Sequence, residues 1–105
     1  MPSTDILRHI TSVGRKVLPA GGKMWLYGSR ARGDARPVSD WDLLVLLDKS
    51  KIENSDYDKY AFPLNQIGWT TDAVINPVLY TLQEWKNNAA TLFYKNVERD
   101  KIELI

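Results

Sequence analysis

The sequence of 105 residues contains no cysteine and only one histidine, His9. The absence of cysteine excludes disulfides, thiolate zinc sites and cysteine nucleophiles. With a single histidine, we expect neither a serine–histidine catalytic pair nor a metal centre built from several histidines.

Long apolar runs are also missing. No segment approaches the ~20 apolar residues of a membrane span, and residues 1–5 lack the basic and then apolar pattern of a signal peptide. We therefore expect a cytoplasmic protein that does not bind membranes. The composition is 44% hydrophobic and 26% charged, which is typical of a globular protein. The length predicts one domain over residues 1–105.

Charge is divided unevenly along the chain, although the formal net charge is only +1. Residues 1–36 hold seven basic residues and two acids, whereas residues 37–105 hold eleven acids and seven basic residues. A basic region beside an acidic cluster suits a polyanionic ligand bound with the help of a cation. The alternative is two solvated helix faces of opposite sign. The near-neutral total disfavours nucleic acid as a partner.

Hydrophobic spacing predicts alternating helices and strands. We expect helices over about 4–18, from Ser29, around 57–67 with a kink or break at Pro63, over 81–88, and around 92–97. We expect strands over 23–27, 41–47, 69–76 and 102–105. Pro77 is expected to stop the third strand, with residues 78–80 as an edge extension. This order predicts an α/β or mixed α+β fold, a small mixed sheet with helices mainly on one face.

The four tryptophans are Trp25, Trp41, Trp69 and Trp85. Large aromatic side chains dominate protein cores, so we expect these residues in packing rather than in base stacking. Trp41 lies between two acids on a predicted strand, and its side chain should point to the opposite face from theirs.

A glycine–serine pair, Gly28-Ser29, follows the first predicted strand and opens an arginine-rich segment. Glycine allows a sharp turn and the close approach of a phosphate, and free amides at a helix start favour an anion. The Ser29 hydroxyl can donate a further hydrogen bond. Taken alone, the pair is equally an ordinary turn followed by a helix cap.

Two carboxylates, Asp40 and Asp42, stand at the head of the apolar strand 41–47. Residues i and i+2 of a strand face the same way, with Cα atoms roughly 6.6 Å apart. Two desolvated anions at a buried strand end are costly, and a divalent cation such as Mg²⁺ resolves this cost. The alternative makes Asp40 a turn residue and leaves Asp42 exposed.

The joined pattern resembles the signature of the DNA polymerase β-like nucleotidyltransferase superfamily. The pattern consists of Gly28-Ser29, Ala31-Arg32-Gly33 and Ser39-Asp40-Trp41-Asp42-Leu43-Leu44-Val45. It is most similar to the minimal, single-domain members found in bacteria and archaea. The signature covers residues 28–47, and the order of the flanking elements is compatible over nearly the whole chain.

The resemblance implies roles for these residues. Gly28 and Ser29 would hold the β- and γ-phosphates of ATP or another nucleoside triphosphate. Asp40 and Asp42 would bind two Mg²⁺ ions, one escorting the triphosphate and the other activating the acceptor hydroxyl. A nucleoside monophosphate would then be transferred to that hydroxyl.

The resemblance also implies a third carboxylate on a neighbouring strand, for which Asp72 is the candidate as a catalytic and metal-binding residue. Asp72 is equally a good turn residue after Thr71. Arg32, and less so Arg30, would neutralise the triphosphate. The alternative for both arginines is an ion pair with Asp34 or another acid.

In the minimal family the usual companion is a small helical protein of the HEPN type, in a pair that resembles a toxin–antitoxin system. The nucleotidyltransferase serves there as the antitoxin and transfers AMP to a tyrosine of the toxin. The acceptor would therefore be a partner protein, or would sit in a groove made by oligomerisation. The rival hypothesis is a catalytically degenerate binding module that neutralises a partner protein.

Overall fold

The computed structural model describes residues 3–105, and Met1 and Pro2 lie outside the described part. Four strands form one sheet in the order β3-β2-β1-β4. They are β1 (Lys23–Tyr27), β2 (Trp41–Leu47), β3 (Ile75–Thr81) and β4 (Ile102–Glu103). β1 is antiparallel to β2 and β4, whereas β2 and β3 are parallel. The mixed sheet confirms the predicted fold class.

Six helices surround this sheet. They are α1 (Ser3–Val17), α2 (Ser29–Arg32), α3 (Asn54–Asp56), α4 (Phe62–Thr71), α5 (Leu82–Asn87) and α6 (Leu92–Asp100). A π-helical turn, Tyr57–Ala61, joins α3 to α4 just before Pro63, which lies in the first turn of α4. Proline needs no amide acceptor there. Within residues 3–105, no helix has the length and apolar character needed to cross a membrane.

Side chains of β2 alternate between two apolar clusters, one on each face of the sheet. Leu43, Val45 and Leu47 pack in the larger cluster, which includes α1 and α4. Leu44 and Leu46 pack in the smaller one, which includes Trp85 of α5 and Val97 of α6. Each fully buried leucine contributes about 1.5–3 kcal/mol to folding. β2 is thus the rigid centre of the fold, and Asp42 shares the face of Leu44.

The third strand differs from the prediction. Helix α4 continues through Thr71, and β3 begins only at Ile75 and runs through Pro77 to Thr81. The predicted strand over 69–76 is therefore wrong for its first six residues. Pro77 does not stop β3 because this strand lies at the sheet edge with β2 as its one neighbour, where an amide can be spared.

The tryptophans follow the prediction in three cases of four. Trp25, Trp41 and Trp85 are buried, whereas Trp69 on α4 is 67% exposed. Trp69 contacts Phe62, which lies two turns earlier on the same face of α4, with ring centroids 5.4 Å apart. The packing role expected for Trp69 is wrong, because its side chain projects from the outer side of α4.

Candidate active site

Gly28 and Asp42 meet where β1 ends and β2 begins. Tyr27, the last residue of β1, is the cross-strand partner of Asp42. Gly28 has φ 74°, in the region that favours glycine. A Cβ atom at Gly28 would lie 2.5 Å from Oδ2 of Asp42. Glycine is therefore required at position 28 for two reasons, the positive φ of the turn and the close approach of the Asp42 carboxylate. This contact joins the glycine–serine turn to the acids of β2.

The turn after Gly28 leads directly into the single-turn helix α2. The Gly28 carbonyl accepts hydrogen bonds from the Ala31 and Arg32 amides, both at 3.0 Å. The first amides of a helix have no acceptor inside it. The Ser29 amide therefore has no acceptor inside α2, and its binding of an anion, with the Ser29 hydroxyl, stays a prediction.

Within residues 3–105, Arg30 contacts backbone carbonyls and a tryptophan ring rather than an acid. Its Nη2 donates to the carbonyl oxygens of Ser39 at 2.9 Å and Pro37 at 3.2 Å. Its guanidinium carbon lies 4.5 Å from the centre of the Trp41 ring. The acid pair that was the alternative for Arg30 is not formed within residues 3–105, whereas its action on a triphosphate stays a prediction. Arg30 fixes the loop that delivers Asp40 to the site.

Arg32 forms two ion pairs. Its Nε lies 3.2 Å from Oδ2 of Asp34, and its Nη1 lies 3.2 Å from Oδ2 of Asp100 at the end of α6. The alternative that Arg32 pairs with acids is therefore realised in this structure. Its positive charge also acts on Asp42, where it only partly opposes a net rise in the pKa of that carboxyl.

The surroundings of Asp42 disfavour the charged form of its carboxyl group. Burial, and then the charge of Asp40, raise the pKa of Asp42, against the opposing effects of the Asn76 amide and Arg32. Burial together with the Asp42 charge also raises the pKa of Tyr27 to about 12. The Asp42 carboxylate is thus half-buried, and the positive charge of the neighbouring side chains does not compensate fully for its burial.

Asn76 is a candidate site residue that the sequence pattern did not indicate. It is the register partner of Asp42 on the parallel strand β3, and its Nδ2 donates to Oδ2 of Asp40 at 2.8 Å. A signal for it existed in Thr81, whose capping box with Glu84 fixes the end of β3. Extending the strand back from Thr81 through an edge proline would have placed Asn76 beside the acids.

Asp72 does not lie on β3. It ends α4 in a left-handed conformation with φ 58°, exposed and three residues before the strand. Within residues 3–105, no three acidic, histidine or cysteine side chains form a group that could hold a metal ion. The structure brings Asp40 and Asp42 together with Asn76, and it does not bring Asp72 to them.

The donor set formed by Asp40, Asp42 and Asn76 fits magnesium. Mg²⁺ prefers oxygen ligands and is commonly held by one or two carboxylates, with water and substrate phosphates completing the octahedron. The raised pKa of Asp42 shows a carboxylate that a cation would stabilise. A phosphate bound at Gly28 would be in reach of the same cation.

Known proteins provide an independent comparison. A family model described as a nucleotidyltransferase domain matches residues 6–103. A comparison with curated protein sequences gave no match.

Solved structures give the same fold. The chain is similar to a toxin–antitoxin crystal structure with AMP-PNP, at 19% sequence identity, with 94% of this chain and 72% of that chain covered and a TM-score of 0.66. It is also similar to a structure of the tri-AMPylated Shewanella oneidensis HEPN toxin in complex with the MNT antitoxin. That match has 18% identity, 97% and 71% coverage, and a TM-score of 0.60.

The family model covers nearly the whole chain, including the glycine–serine turn and both acids at the head of β2. The fold of the solved neighbours agrees with it. The chain belongs to the nucleotidyltransferase domain family.

Proposed function

We propose that this protein transfers AMP from ATP to a hydroxyl group of a partner protein, with magnesium held by Asp40 and Asp42. The observation that carries the proposal is the contact between Gly28 and the Asp42 carboxylate. This contact supports the proposal because it brings the turn proposed to bind phosphate next to the acid proposed to bind the metal. A neighbour crystallised with AMP-PNP and another containing an AMPylated HEPN toxin support the nucleotide and the kind of partner.

The residues of the turn bind the triphosphate. The backbone at Gly28 and the Ser29 amide and hydroxyl hold the β- and γ-phosphates. Arg32 exchanges its exposed ion pair with Asp34 for a phosphate oxygen, since exposed pairs of this kind contribute only about 0–1 kcal/mol. Arg30 keeps the loop before Asp40 in place during this exchange.

The transfer is an in-line displacement. The acceptor oxygen forms a bond to the α-phosphorus, the bond to the oxygen bridging to the β-phosphate breaks, and pyrophosphate leaves with the electron pair. The hydroxyl proton passes to water. Asp40 and Asp42 would hold the magnesium, which would supply charge neutralisation and a lowered pKa of the acceptor hydroxyl. Asn76 holds Asp40 in place through its hydrogen bond.

Nucleotide binding is the direct test. ATP with Mg²⁺ at about 100 times its Kd should raise the free energy of unfolding by about 2.7 kcal/mol. Omitting Mg²⁺, or replacing Asp42 by asparagine, should remove most of this gain. If no nucleoside triphosphate stabilises the protein in the presence of Mg²⁺, the proposal is wrong.

A second candidate function is a binding module that neutralises a partner protein without transferring a nucleotide. The observation in its favour is Asn76, an amide where the resemblance implies a third carboxylate. A protein that binds a HEPN-type partner tightly but labels neither it nor any other acceptor with AMP would support the module. The cytoplasmic location, the single domain and a groove made by oligomerisation stay predictions.

A further inference from the structure

Arg32 joins the short helix α2 to the end of α6 through two acids that differ in exposure. Asp34 follows α2, and its side chain is 61% exposed. Asp100 is the last residue of α6, and its side chain is 8% exposed. Water and salt weaken exposed ion pairs, whereas buried pairs are screened much less. The bond to Asp34 is therefore the one that a ligand can replace.

The two acids bind different nitrogens of the Arg32 guanidinium. Nε donates to Oδ2 of Asp34 at 3.2 Å, and Nη1 donates to Oδ2 of Asp100, also at 3.2 Å. Nη2 has no hydrogen-bond partner among the described residues 3–105. The Nε–Nη2 edge of a guanidinium can bind two oxygens of one phosphate at once. A phosphate and Asp34 therefore compete for this edge, whereas a phosphate and Asp100 can bind together.

Strand pairing places Asp100 near the glycine–serine turn. β4 is antiparallel to β1, with Ile102 opposite Leu26. Asp100 lies two residues before Ile102, and Gly28 lies two residues after Leu26. In antiparallel strands these two directions lead to the same end of the pair. The end of α6 and the proposed phosphate-binding turn therefore lie at one end of the sheet.

Asp100 is itself held firmly. Arg99 donates to both of its carboxylate oxygens, from Nε at 2.9 Å and from Nη2 at 3.1 Å. The Arg99 hydrogen bond, and then the one from Arg32, lower the pKa of Asp100 to about 2 despite its burial. The carboxylate is therefore charged at neutral pH. From this anchor the Arg32 charge acts on Asp42, where it opposes the rise in the pKa of that carboxyl.

We propose that Asp100 is a positioning residue for the triphosphate: it holds Nη1 of Arg32 so that the Nε–Nη2 edge binds the β- or γ-phosphate. Asp34 occupies this edge in the absence of nucleotide, and the phosphate displaces it. This inference rests on the proposed function. A simple effect of charge predicts that removing either acid strengthens ATP binding. Positioning predicts instead that the two acids act in opposite directions.

The test measures the Kd of ATP with Mg²⁺ by calorimetry for the full chain and its variants. Asp34→Ala should lower the Kd about two- to fivefold, because it removes an exposed competitor of the phosphate. Asp100→Ala should raise the Kd about fivefold or more, because Arg32 loses its anchor. Asp5→Ala is the matched control, since it removes one acid from the exposed pair with Arg8 on α1. It should leave the Kd within about twofold of the wild type.

Two further measurements separate positioning from a loss of structure. In an Arg32→Gln background, Asp34→Ala and Asp100→Ala should no longer change the Kd, because both act through the guanidinium. Thermal melts verify the folds of all variants. If Asp100→Ala does not fold, Asp100→Asn replaces it, with a smaller rise in the Kd because the amide oxygen still accepts from Nη1.

Two results would overturn the inference while ATP binding still upheld the proposed function. One is a Kd that falls or stays unchanged when the Asp100 carboxylate is removed. The other is a pair of effects that persists in the Arg32→Gln background. If the wild type does not bind ATP in the presence of Mg²⁺, both the inference and the proposed function are wrong.

Discussion

The two halves of the candidate site differ in how their side chains are held. On the β1–β2 side, Gly28 and Asp42 are in such close contact that there is no space for a Cβ atom. Arg30 holds the connecting loop by donating to two of its carbonyl oxygens. On the β3 side, Asn76 comes from a strand 36 residues beyond Asp40 and reaches it through one hydrogen bond.

This difference suits the two substrates of the proposed transfer. The β1–β2 half is fixed by steric fit and by several bonds within residues 28–42, which suits a ligand of constant shape. The β3 half depends on strand register and one amide. A surface of that kind can vary with the acceptor while the phosphate chemistry stays unchanged.

The largest effect is expected from Asp42→Asn. It should reduce AMP transfer by a factor of about a hundred or more, because the cation loses a carboxylate ligand. The free energy of unfolding should stay equal or rise slightly, since the substitution removes a half-buried charge that Asp40 repels. Labelled transfer and thermal melts measure both. Magnesium-dependent transfer that survives in this variant would remove Asp42 from the mechanism.

Gly28→Ala tests the steric fit of the first half, and Gly33→Ala is its matched control. Both glycines have positive φ, 74° and 84°, but a Cβ at Gly33 meets nothing within 4 Å. We expect Gly28→Ala to abolish ATP binding and to cost about 1–3 kcal/mol of stability. Gly33→Ala should cost about 1 kcal/mol and keep ATP binding, as measured by denaturation and calorimetry. Equal ATP affinities in the two variants would contradict the contact.

Asp56 forms a direct ion pair with a lysine of the chain, whereas Asp42 does not. Asp56 is 2% exposed and accepts hydrogen bonds from the Glu53 amide at 2.8 Å and the Lys49 Nζ at 2.9 Å. Asp42 forms no ion pair within residues 3–105. The Glu53 amide, and then Lys49, lower the pKa of Asp56 despite its burial.

Asp56→Asn should therefore destabilise the protein, by about 1–2 kcal/mol at neutral pH, where Asp42→Asn does not. Because the folded pKa of Asp56 lies below its unfolded value, its contribution is present above the unfolded pKa. It is lost as the pH falls through the folded pKa. Urea denaturation at several pH values should show the gap between wild type and Asp56→Asn closing in acid. A gap independent of pH would contradict the ion pair.

Asn76→Asp would turn the β3 half into the three-acid arrangement that the resemblance implies. Without a divalent cation the variant should lose up to about 1 kcal/mol of stability, because like charges oppose each other across the strands. Added Mg²⁺ should restore more stability than it does in the wild type, as followed by thermal melts with Mg²⁺ or a chelator. An equal response to Mg²⁺ would mean that Asn76 is not beside the cation.

The smallest effect is expected from Asp72→Asn. Asp72 is exposed at the end of α4, and exposed substitutions change free energies by about 0.5 kcal/mol at most. Transfer should therefore stay within about twofold of the wild type. Loss of transfer on the scale of Asp42→Asn would show that Asp72 reaches the site during the reaction.

Most of the β1–β2 half of the candidate site could be predicted from the sequence. The turn at Gly28 and the strand Trp41–Leu47 were predicted with their observed bounds, because glycine and an unbroken apolar run are local signals. The role of Arg30 was not predicted, since its partners are backbone carbonyls that carry no side-chain signature.

The start of the third strand was predicted six residues too early, at Trp69 instead of Ile75. The segment from Trp69 is apolar enough for a strand, but a parallel strand beside β2 needs a crossover helix before it, and α4 uses Trp69 to Thr71 for that purpose. The third acid was therefore placed on a strand when it ends a helix.

The sequence by itself determined the local parts of the candidate site: a glycine turn, a serine and two acids at the head of a buried strand. Tertiary structure alone decided that Asn76 joins the two acids. The physical reason is that the pairing of distant strands depends on their register and on which strand lies at the sheet edge. Neither property can be deduced from residues that are neighbours in the sequence.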